Sequence, residues 1–328
     1  MIKITSVGLL GHKQALDREK TFMSILYFFE GLRQPWLNKI MLLITELGNE
    51  IPFMVISIVL FWCISKQVGY FMLTSGFVGT ITTQWMKLIF RISRPWVQDS
   101  EFTIVEEARA GADGYSFPSG HTQSAASTLG VPAVSVKKRW LSIILWVFYA
   151  LVGISRMYLG VHTPLDVGVS VGIGLLLIIL MRPVFRSGNS KKMYILLAIL
   201  TLIAIAYVIY TNVYPFPADV EVENLESGVK NGYTLLGAIL GMFAAFLIDD
   251  HYVHFSVEGS IPAQIVKCVV GLGLIMAIRA GLKAPLNAIF GGGMAAHAVR
   301  YFFMVLFAGA IWPMAFPFIC RLLPKKKK

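Results

Sequence analysis

The sequence predicts an all-α, polytopic membrane helical bundle that continues into additional C-terminal transmembrane helices. Three observations carry this. The chain is 56% hydrophobic and 14% charged, against roughly 25% charged residues in soluble domains. Its mean hydropathy is +0.68. Apolar runs near the length needed to cross a bilayer, about 20 residues, recur throughout, with the charges gathered between them.

The runs place nine spans at about 48–65, 69–90, 119–136, 140–158, 164–181, 193–212, 232–248, 261–280 and 300–320. Residues 22–46 are apolar but interrupted by Glu30, Arg33, Gln34, Asn38 and Lys39 and broken at Pro35, a pattern suited to one or two amphipathic segments in the interface, with a membrane span as the alternative. Residues 285–297 are too short and glycine-rich to cross, and read as a loop or re-entrant segment. The first twenty residues lack the apolar core and cleavage site of a signal peptide. The resulting division is 1–47, an N-terminal segment; 48–192, a core; and 193–328, a C-terminal extension.

Topology follows from the loops. Lys137, Lys138 and Arg139, then Arg182, Arg186, Lys191 and Lys192, then Lys325 to Lys328 all fall on one side if nine spans are counted. The positive-inside bias makes that side cytoplasmic. The expected location is a plasma (inner) membrane, with multiple passes. The net charge of +11 is thereby explained without nucleic acid, for which there is no folded basic domain. Cys63, Cys268 and Cys320 show no metal-ligand spacing and read as small buried apolar residues.

Three segments rich in chemistry then fall at the outer face. In Lys87–Pro95, Lys87 and Arg94 are seven residues apart, two turns of one helix face, with Pro95 ending the helix. In Gly114–His121, Ser119 can cap the following helix, whose first amides form an anion site. Gly120 permits close approach of a phosphate there. In Ser155–Asp166, Thr163 and Pro164 read as a helix start, with His162 and Asp166 four apart across it. The carboxylate can hold one ring nitrogen and leave the other to attack.

This inventory suits phosphoryl transfer through a phosphohistidine. Lys87, Arg94 and Arg156 would neutralise the non-bridging oxygens, with Ser119 and backbone amides adding donors. His162 would attack, Asp166 would orient it, and His121 would protonate the leaving group. No metal site or cofactor is called for.

In this order the motifs K-x6-RP, PSGH and SR-x5-H-x3-D resemble the signature of the type-2 phosphatidic acid phosphatase family. The matching positions are Lys87, Arg94 and Pro95; Pro118, Ser119, Gly120 and His121; and Ser155, Arg156, His162 and Asp166. The resemblance implies a helical bundle, metal-independent hydrolysis of a phosphate ester or pyrophosphate, and the residue roles given above. Membrane members act mostly on lipid phosphates, so the expected partners are a lipid phosphate substrate and the surrounding membrane lipids. Residues 193–328 exceed the usual six-helix pattern and fall outside the signature. The specific lipid and the oligomeric state are not encoded in these motifs.

Other readings use the same residues. A phosphotransferase would pass the phosphoryl group to a second lipid. A transporter or scramblase would rest on the C-terminal spans, where Lys267 and Arg279 are the main intramembrane polar candidates. Arg91, one turn from Lys87, is not required by the signature. Asp249, Asp250, His251 and His254 imitate a metal cluster but read better as a solvated helix end. Glu101, Glu106, Glu107 and Asp113 lie in a 96–117 loop that could cover the site. Gly291–Gly293 lack the strand and helix context of a phosphate loop.

Overall fold

The computed structural model describes residues 21–218 and 220–324. The N-terminal twenty residues and Lys325–Lys328, both used in the sequence argument, lie outside them. After a helical stretch at 21–31 come α1 (Pro35–Glu46), α2 (Glu50–Cys63) and α3 (Lys66–Phe90). The fourth, α4 (Gly120–Ala125), continues through a π-turn and Val131–Ser135. Then follow α5 (Arg139–Tyr158), α6 (Pro164–Ser187), α7 (Ser190–Val213), α8 (Val222–Ile248), α9 (Ile261–Gly281) and α10 (Met294–Leu306). A broken helix carries α10 on to Leu322.

Among the described residues six helices are long and apolar enough to cross a membrane, and a seventh span is possible if α1 and α2, bent by 47°, are one. The sequence windows gave nine. The difference lies in α2, which counts only together with α1, in α4, which is short and interrupted by its π-turn, and in the polar residues of α3 and α4 that the windows tolerated. Thr74, Ser75, Thr83 and Lys87 on α3, and Thr122, Gln123, Ser127 and Thr128 on or beside α4, are buried inside the bundle. Their polarity faces protein, not lipid, which is where membrane helices keep such residues.

Cross-contacts fix the two ends. At one, Lys66 pairs with Asp249, Ser190 donates to Asp250, Arg182 donates to the Val134 carbonyl and Ser260 to that of Leu323. At the other lie Lys87, Asp113, Arg94, Val161 and His162, joined by hydrogen bonds, and Tyr115, which accepts from the Glu221 amide. The basic clusters at 137–139 and 182–192 therefore share the end opposite these groups.

The extension is packed onto the core. On α8, Gly228 and Gly232 lie against Leu88 of α3 and Tyr207 of α7. On its other side Gly237 and Gly241 meet the backbone of α10 at Ala298 and Phe302, so closely that a side chain at either would collide. Small residues allow this approach. Two expectations are corrected here. Asp249 is not a solvated helix end but buried, holding Lys66 and the Phe255 amide. Residues 285–297 are not one loop: a short helix, Lys283–Ile289, precedes the turn at Phe290–Gly293, and α10 begins at Met294.

Candidate active site

Helix α3 stops four residues before Arg94. Arg91 takes a left-handed conformation (φ 48°), and its amide closes the helix on the Lys87 carbonyl. Arg94 is extended, as a residue before proline tends to be. The sequence reading of Lys87 and Arg94 on one helix face is thus incorrect, yet the two converge. Lys87 Nζ and Arg94 Nη2 both donate to the Asp113 carbonyl, at 2.9 and 2.8 Å. Arg94 Nε donates to Gly114 O at 3.0 Å, and Nη1 to Val161 O at 2.9 Å.

Helix α6 starts as its sequence dictates. Thr163 is the N-cap, Pro164 follows, and Thr163 and Asp166 form a reciprocal capping box. The cap fixes the Asp166 carboxylate: Oδ2 accepts from the Thr163 amide at 2.7 Å and from Ser116 Oγ at 2.6 Å. The same oxygen lies 3.4 Å from His162 Nδ1. His162 Nε2 faces Arg94 Nη1 at 2.9 Å. The nitrogen expected to be free is therefore covered by the Arg94 guanidinium.

Burial, then the charges of Arg94, Arg156 and Lys87, hold the His162 ring well below the usual histidine range, opposed by a hydrogen bond with the Ser116 backbone. The imidazole is neutral at neutral pH and keeps the lone pair a nucleophile needs. Burial pushes the Arg94 guanidinium down to about 10, against the pull of Asp166 and Asp113, so it remains charged.

Ser119 caps α4, its hydroxyl accepting from the Thr122 amide at 3.4 Å and from Thr122 Oγ1 at 2.9 Å. Ser170 donates to the Ser119 carbonyl, and the Ser119 amide donates to that of Asp166, so the starts of α4 and α6 are tied together. Gly120 has open space where a side chain would stand. The His121 ring lies beside Gly111 and within the fields of Arg156, His162, Lys87 and Arg94.

Arg156 is 1% exposed. Its Nη1 donates to Thr45 Oγ1 at 2.9 Å, while Nε and Nη2 are buried without a hydrogen-bond partner. Buried guanidinium nitrogens are seldom left so, and the charge of Arg156 acts on the neighbouring His162 and His121 rings. All eight sequence-derived site residues are thus gathered at one end of the bundle.

Sequence reasoning missed Ser116, Thr163 as a carboxylate donor, and Thr45. Ser116 was within reach, since it lies in the segment already singled out. Thr45 was not: only the fold brings the α1–α2 turn under Arg156, with Gly48 pressed against the His121 backbone. Arg91 is the residue the fold sets apart. Its charge acts on Tyr210 of α7, and among the described residues no hydrogen bond or ion pair joins its side chain to the cluster. Arg91→Ala should keep activity within about twofold, the range of a substitution outside the machinery; steady-state phosphate release would show it.

A helical membrane bundle that gathers three cations, two histidines and a carboxylate at one end defines a class of membrane phosphatases. Family comparison agrees: the model of the PAP2 superfamily matches residues 66–190, and that of the PAP2 superfamily phosphatase, transmembrane extension, matches residues 233–322. The chain belongs to the PAP2 superfamily. It is 34% identical over 168 residues to phosphatidylglycerophosphatase B of Bacillus subtilis, covering 46% of this chain and 76% of that one. It is 26% identical over 157 residues to an undecaprenyl-diphosphatase of Sulfolobus acidocaldarius, covering 48% and 74%. The crystal structure of a transmembrane PAP2-type phosphatidylglycerolphosphate phosphatase from Bacillus subtilis aligns with a TM-score of 0.45 at 28% identity, over 58% of this chain and 98% of that one.

Proposed function

We propose that the protein hydrolyses the terminal phosphate or pyrophosphate of a membrane lipid through a phosphohistidine, without a metal ion, at the extracytoplasmic face. The observation that carries this is Arg156, which has two buried nitrogens without a partner among the described residues and whose charge acts, with those of Lys87 and Arg94, on the buried His162 ring. A phosphate entering there supplies the acceptors these donors lack.

His162 Nε2 attacks phosphorus; the N–P bond forms as the bond to the leaving oxygen breaks. Asp166 stabilises the imidazolium that develops. His121 gives its proton to the leaving oxygen, then takes one from water as that water attacks phosphorus and the N–P bond breaks, releasing phosphate. Burial first, and then the charges of Arg156, His162, Lys87 and Arg94, hold the His121 ring well below the usual histidine range; the negative charge of the phosphate opposes both and favours the protonated ring the leaving oxygen needs. Lys87, Arg94 and Arg156 act where a metal ion otherwise would, meeting charge as it builds on the non-bridging oxygens. The basic clusters at the opposite end support an outward-facing site. We assign catalysis to residues 48–192, and treat residues 193–328 as an extension around it.

The names of the two relatives support a lipid phosphomonoester or diphosphate as substrate. The purified protein in detergent, with a chelator present, should release phosphate from one lipid class in a panel of lipid phosphates, lipid pyrophosphates and soluble esters. Right-side-out vesicles should act on substrate added outside without permeabilisation. Full inhibition by the chelator would overturn metal independence, and release that needs a second lipid as acceptor would make the reaction a phosphotransfer.

A further inference from the structure

The extension carries positive charge of its own at the same end of the bundle. Helices α8 and α10 run parallel: Gly237 packs on Ala298, Gly241 on Phe302, and Ala245 on Gly309. Two turns back from Gly237, on the same face, stands Lys230. Four residues back from Ala298 α10 begins, at Met294, paired in height with Tyr233 of α8, so Lys230, nearly one turn further out, lies beyond the start of α10 on the side of the Phe290–Gly293 turn. Gly228 and Gly232 point the opposite way, into Leu88 and Tyr207.

Around that turn the charges of Arg300, Lys230 and Lys283 all act on the His297 ring. Arg300 Nη2 lies 3.2 Å from His297 Nδ1, and Arg300 Nε is buried without a partner. Among the described residues no carboxylate pairs with Lys230, Lys283 or Arg300. Three elements thus bring uncompensated cations together about one imidazole. Like charges held close repel unless an anion joins them. Beside them Ile289 is 73% and Phe290 41% exposed, an apolar surface that a free anion would not use and an acyl chain would.

We propose that Lys230, Lys283, His297 and Arg300 form a second site, separate from the catalytic pocket, that binds the phosphate of an anionic glycerophospholipid in the leaflet at the catalytic end. A bound lipid would sit between α8, α10 and the short helix 283–289, joining the extension to the membrane surface from which substrate arrives.

The test is titration of the full chain in detergent with phosphatidylglycerol, phosphatidylcholine or inorganic phosphate, followed by native mass spectrometry. Phosphatidylglycerol has no terminal phosphate, so it is not a phosphomonoester competing as a substrate. It should bind as one tight adduct. Lys230→Gln and Lys283→Gln, both at exposed positions where folding is not at stake, should each weaken it about fivefold, the worth of one basic residue near a membrane surface. Arg300→Gln should weaken it further, and Arg300→Lys should restore part of the loss. Equal binding of phosphatidylglycerol and phosphatidylcholine, or unchanged affinity in the double lysine variant, would overturn the proposal. Inorganic phosphate displacing the lipid at equal concentration would make this a free-phosphate site and overturn the lipid assignment.

Discussion

His162→Ala should leave no phosphate release above the uncatalysed background. The substitution removes the one ring nitrogen that faces the cation cluster and leaves the rest of the site in place. Asp166 keeps its bonds to Ser116 and Thr163, and Arg94 keeps the carbonyls of Asp113, Gly114 and Val161. Substrate affinity should therefore survive while the chemical step is lost. Removal of a nucleophile elsewhere costs on the order of a million-fold in kcat. Rapid quenching with a labelled lipid phosphate adds a second reading: the wild type should trap an acid-labile phosphoryl-protein, and His162→Ala none. Appreciable turnover in the variant would show that water attacks phosphorus directly and that His162 only positions the substrate.

The helical architecture was legible because its causes are local. Apolar runs, the Ser119 cap, and the Thr163–Pro164–Asp166 start are each written in a few adjacent residues, and each forms as read. The grouping of the site at one end followed from counting passes. What could not be read is set by distant partners. Lys87 and Arg94 meet through the Asp113 carbonyl and not along a helix, because Arg91 turns left-handed before Pro95 can act. Asp249 seemed a solvated end because its partner, Lys66, is far away in the chain. Likewise Cys63 and Cys268, read as small buried apolar residues, are only half-buried, with their sulfurs 3.3 Å apart across the junction of core and extension. Polar residues on α3 and α4 gave weak spans by composition but turn inward, and whether a residue turns inward is decided by packing.

Arg156→Met should lower kcat/KM steeply and raise thermal stability at the same time. The guanidinium is buried, with one bond to Thr45 and, among the described residues, no partner for two of its nitrogens. Such a group destabilises the fold it sits in, and replacing a buried charge by an apolar side chain of similar length is commonly neutral or stabilising by about 1–4 kcal/mol. With phosphate bound, the same nitrogens gain charge-assisted bonds of about 1.5–3 kcal/mol each. Their loss predicts a fall in kcat/KM on the order of a hundred- to ten-thousand-fold. Arg156→Lys should recover little, since an ammonium cannot reproduce the planar fork. The two effects have opposite signs because the fold bears the cost of an arrangement whose gain comes with the substrate. A purely structural arginine would behave otherwise, losing stability and activity together. Unfolding temperatures and phosphate release on the same preparations separate the cases, and a destabilised Arg156→Met with activity lost in proportion would remove the argument that this side chain waits for an anion.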